Sequence, residues 1–113
     1  MHIVDIQRNA LELCRKHNWP DRTPDQRFRY LISEVGELAR ELVRLEMQPS
    51  TTELAAIKEN IGHEIYDIVW NLCDLANQLD LDLEQAFQRK QAINANRRWT
   101  GNEGTESKSA GPR

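Results

Sequence analysis

The sequence predicts an all-α fold, a four-helix antiparallel bundle, and three observations carry that prediction. Apolar residues recur at steps of three and four along most of the chain, the spacing of one helical face. Pro20, Pro24 and Pro49 divide the chain into long segments at points where helices must start or stop. No stretch alternates apolar and polar residues as a half-buried strand would. Four helices joined by short connections pack most simply up and down.

Residues 2–17 form the first predicted helix, with Ile3, Ile6, Ala10 and Leu13 on its apolar face. The HNWPDRTP stretch then turns the chain, with Thr23 as N-cap and Pro24 at the first helical position, where a missing N–H is harmless. Over residues 24–47 the apolar side chains Phe28, Leu31, Val35, Leu38, Leu42 and Leu45 alternate steps of three and four, which predicts a packing seam. Ser50 and Glu53 have capping-box spacing and open a third helix that reaches about Leu79. Residues 80–82 interrupt it, and a fourth helix is expected over residues 83–98. The last stretch, TGNEGTESKSAGPR, has Ala110 as its only hydrophobic residue and is expected to be a disordered tail. The expected organisation is therefore one domain over 1–99 and a tail over 100–113.

The third helix carries two apolar stripes. Ile57, Ile61, Ile65, Ile68, Leu72, Leu75 and Leu79 make the first; Tyr66, Val69, Trp70 and Cys73 lie roughly opposite. A helix apolar on two faces is buried on two faces. One face is expected to pack within the subunit and the other against a second copy, giving a homo-oligomer. A helix central to its own domain is the alternative.

Composition removes several function classes. A chain of 113 residues allows one domain. Its 18 acidic residues outnumber 15 Lys plus Arg, and a net charge of −3 disfavours nucleic-acid binding through a basic surface. No apolar run approaches the roughly 20 residues of a membrane span, and the N-terminus is too polar for a signal peptide. Cys14 and Cys73 stand far apart with no Cys-x-x-Cys, so neither a disulfide framework nor a zinc site is indicated. No nucleic acid, no membrane and a cytoplasmic setting are the expectations.

Chemistry concentrates on the two long helices. Glu34, Glu37 and Glu41 lie along one line of the second helix, and Glu64, Asp67 and Asn71 along one line of the third. Both lines border the apolar seam. Two acidic rows facing each other across an antiparallel pair repel unless something neutralises them. Mg²⁺ or Mn²⁺ would, since hard divalent ions take oxygen ligands and keep waters for a phosphate substrate. Glu34, Glu37, Glu64 and Asp67 would then hold the ion. The alternative is a solvated acidic face paired with Arg40 and Arg44. HEIYD lacks the second histidine of His-Glu-x-x-His, so His63 is read as a surface residue. Gly36 and Gly62 each sit beside an acidic pair inside a helix, where glycine costs about 1 kcal/mol relative to alanine. Close backbone approach or room for a ligand would explain them. Lys90, Asn94 and Arg97 share a face near the end of the fourth helix, suited either to the helix dipole or to outer phosphates. Trp19 is either a hydrophobic plug or a stacking surface for a base.

Glu34-x-x-Glu37 in EVGEL, Glu64-x-x-Asp67 further on, and Lys90-x-x-x-Asn94-x-x-Arg97 after that resemble the MazG-like all-α nucleoside triphosphate pyrophosphohydrolases. Each motif is weak alone; the three in order over residues 5–99 are specific. The resemblance implies a dimer or a dimer of dimers, with Mg²⁺ held by Glu34, Glu37, Glu64 and Asp67. It also implies hydrolysis of a nucleoside triphosphate between its α and β phosphates, giving a monophosphate and pyrophosphate. HNWPDRTPDQ is similar to the tryptophan-bearing stretch of the dCTP-preferring branch, which makes Trp19 a candidate base contact. Lys90 and Arg97 would hold the β and γ phosphates, with Asn94 and Asn71 as polar positioners. Many members carry a further acid where this chain has Ser33, so the water-activating role falls to Glu34 or Glu41. The competing reading is a non-catalytic helical oligomer that binds nucleotide or metal as a sensor or scaffold.

Overall fold

A computed structural model describes residues 1–17 and 23–97. Four helices account for most of them: α1 (Ile3–Lys16), α2 (Pro24–Leu45), α3 (Thr51–Gln78) and α4 (Leu83–Ala95). There is no strand among the described residues. Trp19, Arg98, Trp99 and the segment expected to be a disordered tail lie outside the described residues. Among those described, no helix is long and apolar enough to cross a membrane.

The helix starts follow the local chemistry. The Thr23 hydroxyl accepts from the Gln26 N–H at 3.1 Å, and the Gln26 side chain accepts from the Thr23 N–H at 3.1 Å, closing a capping box ahead of Pro24. Ser50 and Glu53 make the same reciprocal pair at the start of α3. At the far end of α3, Asp80 takes a left-handed φ of 56°. Its N–H donates to the Asn77 carbonyl at 3.2 Å, and that of Leu81 to the Ala76 carbonyl at 2.9 Å. This is a Schellman stop with Asp where Gly is usual. Gln48, also at φ 56°, ends the α2 side of the hairpin just before Pro49.

The chain divides into two compact units. The first, Met1–Leu81, holds α1, α2 and α3. Within it α3 packs against both other helices. Ala10, Leu31, Ile57, Cys73 and Ala76 are its buried apolar residues. Polar contacts tie α1 along α3: Trp70 Nε1 donates to Asn9 Oδ1 at 3.3 Å, and Asn77 Nδ2 to the Gln7 carbonyl at 2.9 Å.

The α2 seam is narrower than its spacing predicts. Leu31 is buried and Leu38 and Leu45 half-buried, but Phe28, Val35 and Leu42, the alternate members, are exposed. A single neighbouring helix covers one line of α2, and the other line stays bare. On α3 each stripe is only partly covered. In the second, Cys73 is wholly buried, Val69 and Trp70 half-buried and Tyr66 exposed; in the first, Ile57 is buried, Ile61, Ile68 and Leu75 half-buried, and Ile65, Leu72 and Leu79 exposed.

The second unit begins at Asp82. Asp82 caps α4, accepting from the Gln85 N–H at 3.1 Å. The helix stops at Ala95, three residues short of the predicted end.

Candidate metal centre

Antiparallel α2 and α3 bring their acidic lines together. Glu34, Glu37 and Glu64 each offer a carboxylate oxygen, and the three oxygens lie within 4.8 Å of one another. Glu34 and Glu64 are half-buried and Glu37 is exposed, so the cluster opens to solvent on one side. Asp67 lies outside this tight group, on an exposed turn of α3. Its charge nevertheless acts on both half-buried glutamates.

The electrostatics are those of crowded anions. Burial, reinforced by repulsion from Glu37 and Asp67, pushes the Glu34 carboxyl above the ordinary glutamate range. Glu64 is raised as well, first by burial and then by Glu37, Glu34 and Asp67. Glu64 Oε1 is buried and accepts no hydrogen bond. A buried carboxylate oxygen with no donor, beside two other carboxylates, is the arrangement that a hard cation satisfies. The donor set therefore fits a divalent ion.

Glu41 continues the α2 line one turn on. Its Oε2 pairs with Arg44 at 3.4 Å, while its Oε1 is buried without a hydrogen-bond partner. A groove at the hairpin end, lined by Arg44, Met47, Pro49, Ala56, Ile57 and Asn60, adjoins this pair. Ser33 is exposed. A Cβ built on Gly36 or Gly62 meets nothing within 4 Å. Close approach of backbones within the chain does not explain these glycines; what they provide is open space next to the acids.

Asn71, expected as a substrate positioner, lies on the covered side of α3. It is buried, and both ends of its amide are engaged. Oδ1 accepts from Arg27 Nη1 at 2.6 Å, and Nδ2 donates to the Asp67 backbone carbonyl at 2.7 Å. Arg27 itself is the residue that sequence reasoning missed. It is buried, with Nε 2.7 Å from Asp74 Oδ2 but off the N–H axis, so the contact is an ion pair and not an aligned hydrogen bond. Its guanidinium carbon lies 5.7 Å from the ring centroids of both Tyr30 and Trp70. Cys14 Sγ donates to Asp74 Oδ1 at 3.4 Å. The available signal was position: Arg27 precedes Leu31 by four residues and Glu34 by seven, on the inward line of α2.

On the second unit, Lys90 and Asn94 stand one turn apart on α4. Lys90 is exposed and Asn94 buried, and Arg97 follows the helix end.

Comparison with known proteins identifies the family. No solved structure matches the chain. Over 96 residues it is 27% identical to the uncharacterized protein YvdC of Bacillus subtilis (strain 168), covering 80% of this chain and 91% of the relative. Residues 22–97 match the MazG nucleotide pyrophosphohydrolase domain, a span that holds the converging glutamates, Asp67 and the α4 cation motif. Four helices without a described strand, three carboxylates meeting across an antiparallel pair and that match together place this chain in the MazG nucleotide pyrophosphohydrolase family.

Proposed function

We propose that the chain is a Mg²⁺-dependent hydrolase of a nucleoside triphosphate, a pyrimidine or modified deoxynucleotide such as dCTP. Water adds at the α-phosphorus and the bond to the β-phosphate oxygen breaks, so that triphosphate and water give monophosphate and pyrophosphate. The role is housekeeping of the nucleotide pool in the cytoplasm, a setting suited to Cys14 and Cys73, neither of which is in a disulfide. The convergence of Glu34, Glu37 and Glu64 within 4.8 Å, with a buried Glu64 oxygen left unpaired, carries the reading.

Glu34, Glu37, Glu64 and Asp67 would hold Mg²⁺, with Mn²⁺ as a substitute. When bound, the ion supplies charge stabilisation at phosphoryl oxygens and lowers the pKa of a coordinated water. Proton transfer from the attacking water is assigned to Glu34 or Glu41, because Ser33 offers no carboxylate. Glu34 is suited by its raised pKa, and Glu41 by its buried unpaired oxygen. Lys90 and Arg97 supply cations for the outer phosphates, Asn94 a polar positioner and Trp19 a base contact. The homo-oligomer, dimer or tetramer, is supported by the bare apolar lines of α2 and α3.

Glu37→Gln tests the assignment. The expected result is loss of pyrophosphate release from a triphosphate panel in Mg²⁺, with unchanged helical circular dichroism. Turnover near that of the wild type would refute it.

A further inference from the structure

The acidic cluster cannot by itself hold α2 and α3 in the register that creates it. Its carboxylates repel, and burial leaves a Glu64 oxygen unpaired. The apolar contacts are a weak guide to register as well. Leu31, Leu38 and Leu45 recur every seven residues, so a slide of one heptad would present the same pattern to α3. Something unique along the interface must choose.

Arg27 supplies that uniqueness. It is a buried cation in an interface whose other buried polar groups, Asn71 and Asp74, are both its partners. The spacing is matched across the pair. Seven residues separate Arg27 from Glu34 on α2, and seven separate Glu64 from Asn71 on α3. In antiparallel helices, equal steps taken in opposite sequence directions stay opposite each other. The Arg27–Asn71 contact therefore sets Glu34 against Glu64 two turns away, about 10 Å along the axis. Asn71 makes a second link, because its Nδ2 holds the backbone carbonyl of Asp67, the fourth acid. A heptad slide one way would set the Arg27 charge against Gln78 and Leu81 without an acid; the other way would give it to Glu64 and Asp67, dismantling the cluster and leaving Asp74 buried without its cation.

We propose that Arg27, Asn71 and Asp74 form a buried register clamp that preassembles the acidic cluster for a divalent cation. These are positioning residues and touch neither ion nor substrate. The inference rests on the metal-binding reading above.

The test replaces the clamp by apolar residues of similar volume, Arg27→Met/Asn71→Leu/Asp74→Leu, in the full chain. Helical circular dichroism and the metal-free melting temperature are measured first, then Mn²⁺ affinity by electron paramagnetic resonance of the free ion. A purely structural ion pair replaced in this way leaves affinity where it was. The clamp predicts a melting temperature no lower than that of the wild type, with Mn²⁺ binding about tenfold weaker. A folded variant that binds Mn²⁺ like the wild type overturns the clamp and leaves the metal reading intact. Wild-type protein that binds no Mn²⁺, or binds it no better than Glu37→Gln, overturns both. Should the triple variant not fold, Asn71→Leu alone decides. Weaker Mn²⁺ binding at unchanged helicity supports the clamp, and unchanged binding refutes it.

Discussion

At the scale of single residues, Glu34 and Glu64 govern how the metal-free protein responds to pH. Both carboxyls are raised in the fold relative to the unfolded chain, so the folded state binds more protons than the unfolded state above the ordinary glutamate range. Stability linked to these groups is present at low pH and is lost as pH rises through their folded values. Asp5 and Glu53, lowered by hydrogen bonds at helix starts, act in the opposite sense, but only below that range. The melting temperature of protein stripped of divalent ions should therefore fall as pH rises above the ordinary glutamate range. Added Mg²⁺ should reverse the fall. Glu64→Gln, which keeps the shape and removes the charge, should raise the metal-free melting temperature at neutral pH and flatten its pH dependence. An unchanged curve in a thermal melt series would show that the carboxylates do not crowd. The acids were legible from spacing alone, since a helix fixes which residues share a line. Arg27 was harder to see, because only its place on the inward line of α2, and no motif, separates it from an arginine that faces solvent.

At the scale of the element, Gly36 and Gly62 are the informative departures from helix propensity. Each lies inside a helix with open space where a Cβ would point. Alanine there should stabilise the fold by about 0.5–1 kcal/mol per site, through higher helix propensity and a less flexible unfolded chain. Urea midpoints measure this directly. If that space serves the substrate, kcat/KM falls in the same variants although the protein is more stable. The helix starts were readable because Thr23 and Ser50 each find their partner three residues on, a contact that needs no tertiary structure. The ends were less so. α4 stops before Arg97, although α3 ends within a residue of its expected end, on a left-handed Asp80.

At the scale of the whole molecule, the bare apolar lines matter most. Phe28, Ile32, Val35 and Leu42 leave α2 with an exposed stripe, and Ile65, Leu72 and Leu79 do the same for α3. Such stripes mark surfaces that associate. Sedimentation should show a dimer or tetramer for the wild type, and Val35→Glu together with Leu72→Glu should shift it to monomer. A monomeric wild type would refute the oligomer. The spacing on α2 predicted a packing seam, and its division into covered and bare lines could be seen only in three dimensions.

The sequence by itself determined the helices, their starts and the two lines of acids, because capping, proline and the 3.6-residue period act over a few residues. Only the tertiary structure decided which face of each helix is covered, that Asn71 turns inward, and that Glu34, Glu37 and Glu64 meet while Asp67 stands apart. Those outcomes depend on the register of one helix against another. Register is chosen by contacts between residues more than forty positions apart, such as Arg27 with Asn71 and Asp74.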